Sequence, residues 1–150
     1  MRIEISNSQR RHRISIRHLR RVTEKILSVL GLADSELSIA VAGDRTIRRI
    51  NRDYLQKDRP TNVISFSLRE GEFGDVNPAA LGDVVISADT AAREAVEGGL
   101  SFHERFCFLL LHGILHLSGY DHERSGEAEA QRMEAKELEI FAILKKEGLV

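Results

Sequence analysis

The spacing of apolar and polar residues predicts four short strands. Residues 2–6 alternate with a period of two, which is typical of a strand with one buried face. The segments 36–42, 62–68 and 82–88 have the short, largely apolar character of further strands. The connection "LQKDRP" before the third strand is polar, and Pro60 argues against a helix continuing through it.

Five other segments show helical spacing or helix-start signals. In the first of them, apolar residues recur from Ile16 to Leu30, and Gly31 follows where a helix would end. Asp44 and Asp89 are placed to cap the second and third helices, and "SFHE" (101–104) has the form of a capping box that opens a fourth. A last amphipathic helix is expected from about residue 125 to residue 146.

The resulting order is βαβαββααα, which predicts an α/β (α+β) fold with one sheet of about four strands and about five helices packed on it. A chain of 150 residues suits a single domain. No apolar run approaches the roughly 20 residues of a membrane span, and the first 18 residues contain no apolar signal core. The single cysteine, Cys107, lies in an apolar stretch and is expected to be a core residue. These features favour a cytoplasmic protein.

The net charge of −1 hides an uneven distribution along the chain. Residues 1–60 contain 14 Lys and Arg against 7 Asp and Glu, whereas residues 61–150 contain 8 against 16. A basic half can attract phosphates. Solvated helix faces with local ion pairs would produce the same distribution, so charge alone leaves both interpretations open.

Three of the six histidines, His112, His116 and His122, lie within "HGILHLSGYDH". On a helix, residues four apart share a face, so His112 and His116 can point at one ion. Gly119 permits the turn that would bring His122 back as a third nitrogen ligand. Three protein ligands and an open position are typical of catalytic zinc, whereas a structural zinc usually has a fourth ligand. A single histidine on an apolar helix is usually a core residue, but three at this spacing favour metal binding.

The histidines and the glycine coincide with the zinc motif of metzincin proteases, H-E-x-x-H-x-x-G-x-x-H. The glutamate of that motif is the general base, and here Gly113 takes its place. A glycine cannot accept a proton. The comparison therefore supports the metal geometry, counts against peptide hydrolysis, and suggests that Gly113 leaves room beside the metal.

The same segment resembles the H-G-x-L-H-L-x-G-Y-D-H signature of the YbeY family of bacterial metal-dependent endoribonucleases. "KDRPTNVISF" (57–66) is similar to the family's D-x-P-T-[DN]-V-[LI]-S-F segment, and "LGDVVIS" (81–87) is similar to its L-G-D strand. The resemblance covers roughly residues 36–145 and implies one YbeY-like metallohydrolase domain over residues 1–150. It also implies one Zn²⁺ on His112, His116 and His122, and cleavage of single-stranded RNA. The expected cellular role is maturation of the 3′ end of 16S ribosomal RNA and ribosome quality control, on ribosomal particles.

The sequence departs from the family just before the second segment, where members usually carry Tyr-Arg and this chain has Tyr54 and Leu55. Lys57 and Arg59 are candidate substitutes for that arginine in substrate binding, although solvated loop charges are as good an explanation. Asp83 and Asp121 could orient metal ligands, or could simply begin a strand and cap a turn.

Two other functions stay open from the sequence. One is a zinc-dependent hydrolase of another class, such as a peptidase, against which the missing glutamate at position 113 argues. The other is a non-catalytic ribosome-associated factor in which the metal only stiffens the fold. An open coordination position argues against this second alternative.

Overall fold

The computed structural model describes residues 2–68, 79–120 and 126–150. Within these ranges one mixed sheet has the strand order β1-β2-β4-β3. The strands are β1 (Arg2–Asn7), β2 (Glu36–Ala42), β3 (Val63–Ser67) and β4 (Ala80–Ser87). The pairs β1–β2 and β2–β4 are parallel, and β3 runs antiparallel to β4 at the edge of the sheet.

Five helices accompany the sheet in the described ranges. They are α1 (Ile16–Val29), α2 (Asp44–Leu55), α3 (Ala88–Gly98), α4 (Phe102–Leu117) and α5 (Glu127–Lys146). The predicted order and the α/β class are confirmed, and the boundaries differ from the predicted ones by two residues at most. Among the described residues, no helix has the length and apolar character needed to cross a membrane.

The two faces of the sheet carry different helices. On β4, Val84 and Ile86 belong to the main core, which also holds the buried residues of α1, α4 and α5. Val85 points the other way, into a smaller cluster with Ile47 of α2. Because neighbouring strand residues face opposite sides, α2 covers the face opposite α4. The helix α4 is buried along much of its length, and it carries His112 and His116 on the main-core side of the sheet.

The predicted caps are right for α4 and wrong for α2 and α3. Ser101 and Glu104 form the reciprocal capping box at the start of α4. The N-caps of α2 and α3 are instead Gly43 and Ser87, so Asp44 and Asp89 lie inside the helices that they were expected to cap. The carboxylate of Asp89 instead accepts the backbone N–H of Asp44 in α2 at 2.9 Å, and the hydroxyl of Ser87 accepts the backbone N–H of Thr90 as the cap of α3.

The carboxylate of Asp44 is held by the same junction. It accepts hydrogen bonds from the hydroxyls of Ser87 and Thr90 and pairs with Arg93. Burial alone would raise the pKa of Asp44, but the hydrogen bonds from Arg93, Thr90 and Ser87 outweigh burial and keep its pKa below the ordinary value. The junction therefore fixes α2 and α3 relative to each other through an ionised carboxyl.

Candidate metal centre and the adjoining pocket

The helix α4 brings His112 and His116 together as the i, i+4 spacing predicts. Their ring centroids are 4.7 Å apart, and the two Nε2 atoms face each other at 3.1 Å. Two nitrogens bound to one tetrahedral zinc at about 2.05 Å would be about 3.3 Å apart. The pair is therefore spaced as two ligands of a single ion would be.

Glu137 is a site residue that the sequence reasoning missed. It extends from α5, is only 6% exposed, and lies with its carboxylate 2.5 Å from Nδ1 of His112. An ionised carboxylate can only accept a hydrogen bond, so Nδ1 of His112 carries a proton, and in the neutral imidazole the lone pair then lies on Nε2. That tautomer is the one needed to bind a metal through Nε2. The nitrogen donors and this carboxylate together fit a zinc ion.

A signal for Glu137 was present in the sequence. Positions 133, 137, 140 and 144 form one helical stripe, and the other three hold Met133, Ile140 and Leu144, all buried in α5. A glutamate on an otherwise apolar stripe must have a partner, because burial of an unpaired carboxylate is costly. His112 is that partner.

Gly113 has a packing role that corrects the sequence interpretation. A Cβ at this position would lie 2.8 Å from Cγ1 of Val84 and 3.2 Å from both Oγ of Ser65 and Cγ2 of Val63. The hydroxyl of Ser65 also donates to the carbonyl of Gly113 at 3.0 Å. The glycine therefore lets α4 approach β3 and β4, and side chains of the sheet fill the space beside it, so it does not leave the room beside the metal that the sequence suggested.

The third predicted ligand, His122, and its neighbour Asp121 lie outside the described residues, so the role of each stays a prediction. The structure does describe the end of α4 that leads to them. Gly119 has a φ of +108°, in the range that favours glycine, and Tyr120 N–H donates to the carbonyl of Leu115. The expected glycine-dependent turn after the helix is confirmed.

Cys107 lies apart from this centre, as predicted. It is buried, and its sulfur lies 3.7 Å from ring nitrogens of His103. Burial raises the pKa of the Cys107 thiol to about 12. The thiol is therefore neutral near pH 7, and a neutral thiol is a poor metal ligand.

The two candidate substrate-binding residues, Lys57 and Arg59, are exposed in the connection between α2 and β3. The main chain of this connection is held in place by hydrogen bonds, including one from the side-chain amide of Asn51 to the carbonyl of Arg59 at 2.9 Å. A hydrogen bond from Arg48 lowers the pKa of Asp58, so the acid between the two cations is itself paired. The role of Lys57 and Arg59 stays a prediction.

Asp83 lies away from the histidines. It is an exposed residue within β4, paired across the sheet with Ser38 and Phe66. Its neighbour Val84 faces α4, so Asp83 faces the other side of the sheet. This geometry therefore excludes Asp83 as a residue that orients His112 or His116.

A pocket of about 220 Å³ opens beside His112 between α4, α5 and the start of β3. One wall is apolar and includes Phe108, Leu109 and Met133. The polar lining includes Asn62, Arg105 and Glu137. Neither Lys57 nor Arg59 is among the described residues that line it. The pocket places His112 beside a space that suits a ligand with both apolar and polar parts.

Comparison with known proteins gives one consistent family. Residues 4–145 match the family model described as Endoribonuclease YbeY. A protein of that name from Geobacter metallireducens is 71% identical over 150 residues, covering 100% of both chains, and one from Geobacter sulfurreducens is 67% identical with the same coverage. The solution structure of TM1509 from Thermotoga maritima has a TM-score of 0.64 at 20% identity, covering 98% of this chain and 94% of that one. This last likeness supports the fold alone.

Proposed function

The chain belongs to the YbeY family of endoribonucleases, and from that premise we propose that it cleaves single-stranded RNA with a zinc ion held by His112, His116 and His122. The family and the enzyme class predicted from the histidine motif are thereby confirmed. Zinc and the strand preference of the RNA are our proposal. The observation that supports it most directly is the 3.1 Å approach of the two Nε2 atoms, with Nδ1 of His112 committed to Glu137.

A zinc ion at this position would supply Lewis-acid activation of water or of a phosphoryl oxygen. The residues of the chain provide the surroundings for that chemistry. Glu137 holds the proton on Nδ1 of His112 and so keeps Nε2 directed at the ion. The pocket beside His112 offers an apolar wall to a base and cationic and amide groups to the backbone of RNA.

A peptidase using the same zinc is a weaker candidate. Gly113 has no side chain to accept a proton, and the space where a side chain would lie is filled by Val84, Ser65 and Val63. The nearby carboxylate of Glu137 is engaged with His112. The position that holds the general base in metzincin proteases is therefore both empty of a base and closed by the sheet.

The experiment that tests the proposal compares purified protein on a labelled single-stranded RNA, on the corresponding duplex and on an unstructured peptide. We expect cleavage of the single strand only, loss of cleavage with a chelator, and recovery when zinc is added back. His116→Ala should abolish cleavage, and His103→Ala, a matched histidine outside the centre, should retain it. Full cleavage by a protein verified to be metal-free would contradict the zinc proposal, and cleavage of the peptide would favour the alternative.

We further propose that the cellular substrate is ribosomal RNA within cytoplasmic ribosomal particles, with maturation of the 3′ end of 16S RNA and ribosome quality control as the role. The support is the full-length similarity to proteins of the same family. Incubation with precursor small subunits, followed by mapping of RNA 3′ ends, should show shortening that requires zinc. Unchanged 3′ ends, alongside cleavage of a free oligonucleotide, would contradict this assignment of the substrate.

A further inference from the structure

The pocket beside His112 contains a cation that the sequence motifs did not identify. Arg105 lies on α4 seven residues before His112, which is two helical turns along the same face. The two Cα atoms are therefore about 10 Å apart along the helix axis. Both side chains line the pocket, so a ligand that fills it lies next to both Arg105 and His112.

The guanidinium of Arg105 is held in place. Its Nε and Nη2 both lie 3.0 Å from Oε1 of Glu94 on α3. Its central carbon lies 5.5 Å from the ring centroid of Phe108, and the side chain is 25% exposed. The atom Nη1 takes no part in these two contacts to Glu94. A guanidinium fixed in this way can bind an oxyanion with little further loss of side-chain entropy.

Glu94 also connects Arg105 to the segment that begins β3. Both of its carboxylate oxygens accept from the side-chain amide of Asn62, at 3.2 and 3.3 Å. Asn62 follows directly on the connection that contains Lys57 and Arg59. One carboxylate therefore fixes two polar residues of the pocket wall, one from α4 and one from the start of β3.

The charges in the pocket show what Arg105 can offer to a ligand. Of the lining residues that the structure describes, Arg105 is the one Lys or Arg, and the carboxylates are Glu134 and Glu137. Glu137 is paired with His112, and Glu134 is exposed. Arg105 is thus the positively charged donor beside the histidine pair, next to an apolar wall suited to a base.

We propose that Arg105, positioned by Glu94, contacts a backbone phosphate of RNA next to the nucleotide at His112. This inference rests on the proposed endoribonuclease function and specifies how the substrate is held. It supplies the cationic contact to the substrate on the same side of the sheet as His112. Lys57 and Arg59, in the connection before β3, stay candidates for contacts to phosphates further along the RNA.

The test measures binding of a fluorescein-labelled oligouridine with 2′-O-methyl groups and phosphorothioate linkages, which resist cleavage, to the zinc-loaded protein by anisotropy over a series of KCl concentrations. We expect Arg105→Gln to weaken binding about tenfold and to lower the salt slope by about 0.7, the contribution of one phosphate contact. Arg105→Lys keeps the charge and loses the fork held by Glu94, so it should keep the slope with an affinity between the two. Arg45→Gln, which removes a cation from α2 on the opposite face of the sheet, should match the unmodified protein.

The outcomes separate this inference from the function on which it rests. If the unmodified protein binds RNA and Arg105→Gln has the same affinity and slope, the inference is wrong and the proposed function stands. If Arg105→Gln does not fold, Arg105→Lys decides: it should bind more weakly than the unmodified protein, and an equal affinity would contradict the inference. Failure of the unmodified protein to bind or cleave any RNA would overturn both proposals.

Discussion

Two pairs of histidines in this protein have nearly the same geometry and opposite surroundings. His112 and His116 have ring centroids 4.7 Å apart and Nε2 atoms 3.1 Å apart. His18 of α1 and His103 of α4 have the same two distances. In the second pair, however, both Nε2 atoms approach the backbone carbonyl of Leu149, at 2.7 and 2.8 Å. Distance alone therefore does not distinguish a metal centre from a structural contact.

The distinguishing feature is the acceptor that each pair faces. A carbonyl oxygen only accepts, so the Nε2 atoms of His18 and His103 must carry protons and cannot bind a metal in that state. In the first pair, the carboxylate of Glu137 takes the proton of His112 at Nδ1 and leaves Nε2 as a lone-pair donor. His18 and His103 are arranged to donate hydrogen bonds to the carbonyl of Leu149. His112 and His116 are arranged to donate electron pairs to a metal ion.

The strongest test of this difference between the two pairs is to replace a histidine of each pair with alanine and to measure the affinity for zinc. Loss of a direct ligand should exceed the roughly 10–100-fold effect of losing an outer partner, so His112→Ala, His116→Ala and His122→Ala should each weaken zinc binding by more than about a hundredfold. His18→Ala and His103→Ala should bind one zinc per chain as before. Competition with a chromogenic chelator and native mass spectrometry give affinity and stoichiometry. Full zinc affinity in His122→Ala would contradict the three-ligand centre.

The next largest effect should come from Glu137. Glu137→Gln keeps the shape and an acceptor oxygen but removes the charge, and we expect zinc affinity to fall by about tenfold, the lower end of the effect of such partners. Glu137→Ala leaves His112 without this partner and should cost more. The matched control is Glu139→Gln, an exposed position on the same helix. Equal zinc affinity for Glu137→Gln, Glu137→Ala and the unmodified protein would show that this contact does not tune the ligand.

Gly113 and Gly119 lie near His112 and His116, and replacing each one tests a different cost, steric crowding at Gly113 and backbone strain at Gly119. A Cβ at Gly113 meets side chains of the sheet at 2.8 Å, whereas a Cβ at Gly119 meets nothing within 4 Å but must adopt a φ of +108°. Gly113→Ala should cost about 1–3 kcal/mol of unfolding free energy through overpacking, and Gly119→Ala about 1 kcal/mol through strain. Urea unfolding of the metal-free proteins measures both. A Gly113→Ala protein as stable as the unmodified one would contradict the close approach of α4 to the sheet.

The sequence predicted local features of the protein well and predicted contacts between distant residues poorly. The order of elements, the four-stranded sheet, the capping box at Ser101 and the pairing of His112 with His116 followed from periodicity and spacing, because these depend on residues close together along the chain. The cap positions at Asp44 and Asp89 were wrong, since a carboxylate from one helix satisfies the first amide of another. Contacts between residues far apart in the sequence were missed, because neither periodicity nor local spacing reports them. Glu137 lies 25 residues from His112, and Glu94 lies 32 residues from Asn62.

The smallest expected effect concerns the second histidine pair and would sharpen the contrast with the first. Because a carbonyl oxygen has two lone pairs, His18 and His103 can both donate to Leu149, and either one alone leaves that oxygen satisfied. Each single change to alanine should therefore cost about 0.5–1 kcal/mol, while the double change should exceed the sum because the partly buried carbonyl loses both donors. Thermal unfolding should show single shifts of about 1–4 °C, with the zinc content unchanged in all three proteins. A strictly additive double variant would mean that the two rings do not share the carbonyl, and a loss of zinc would mean that the two pairs are coupled.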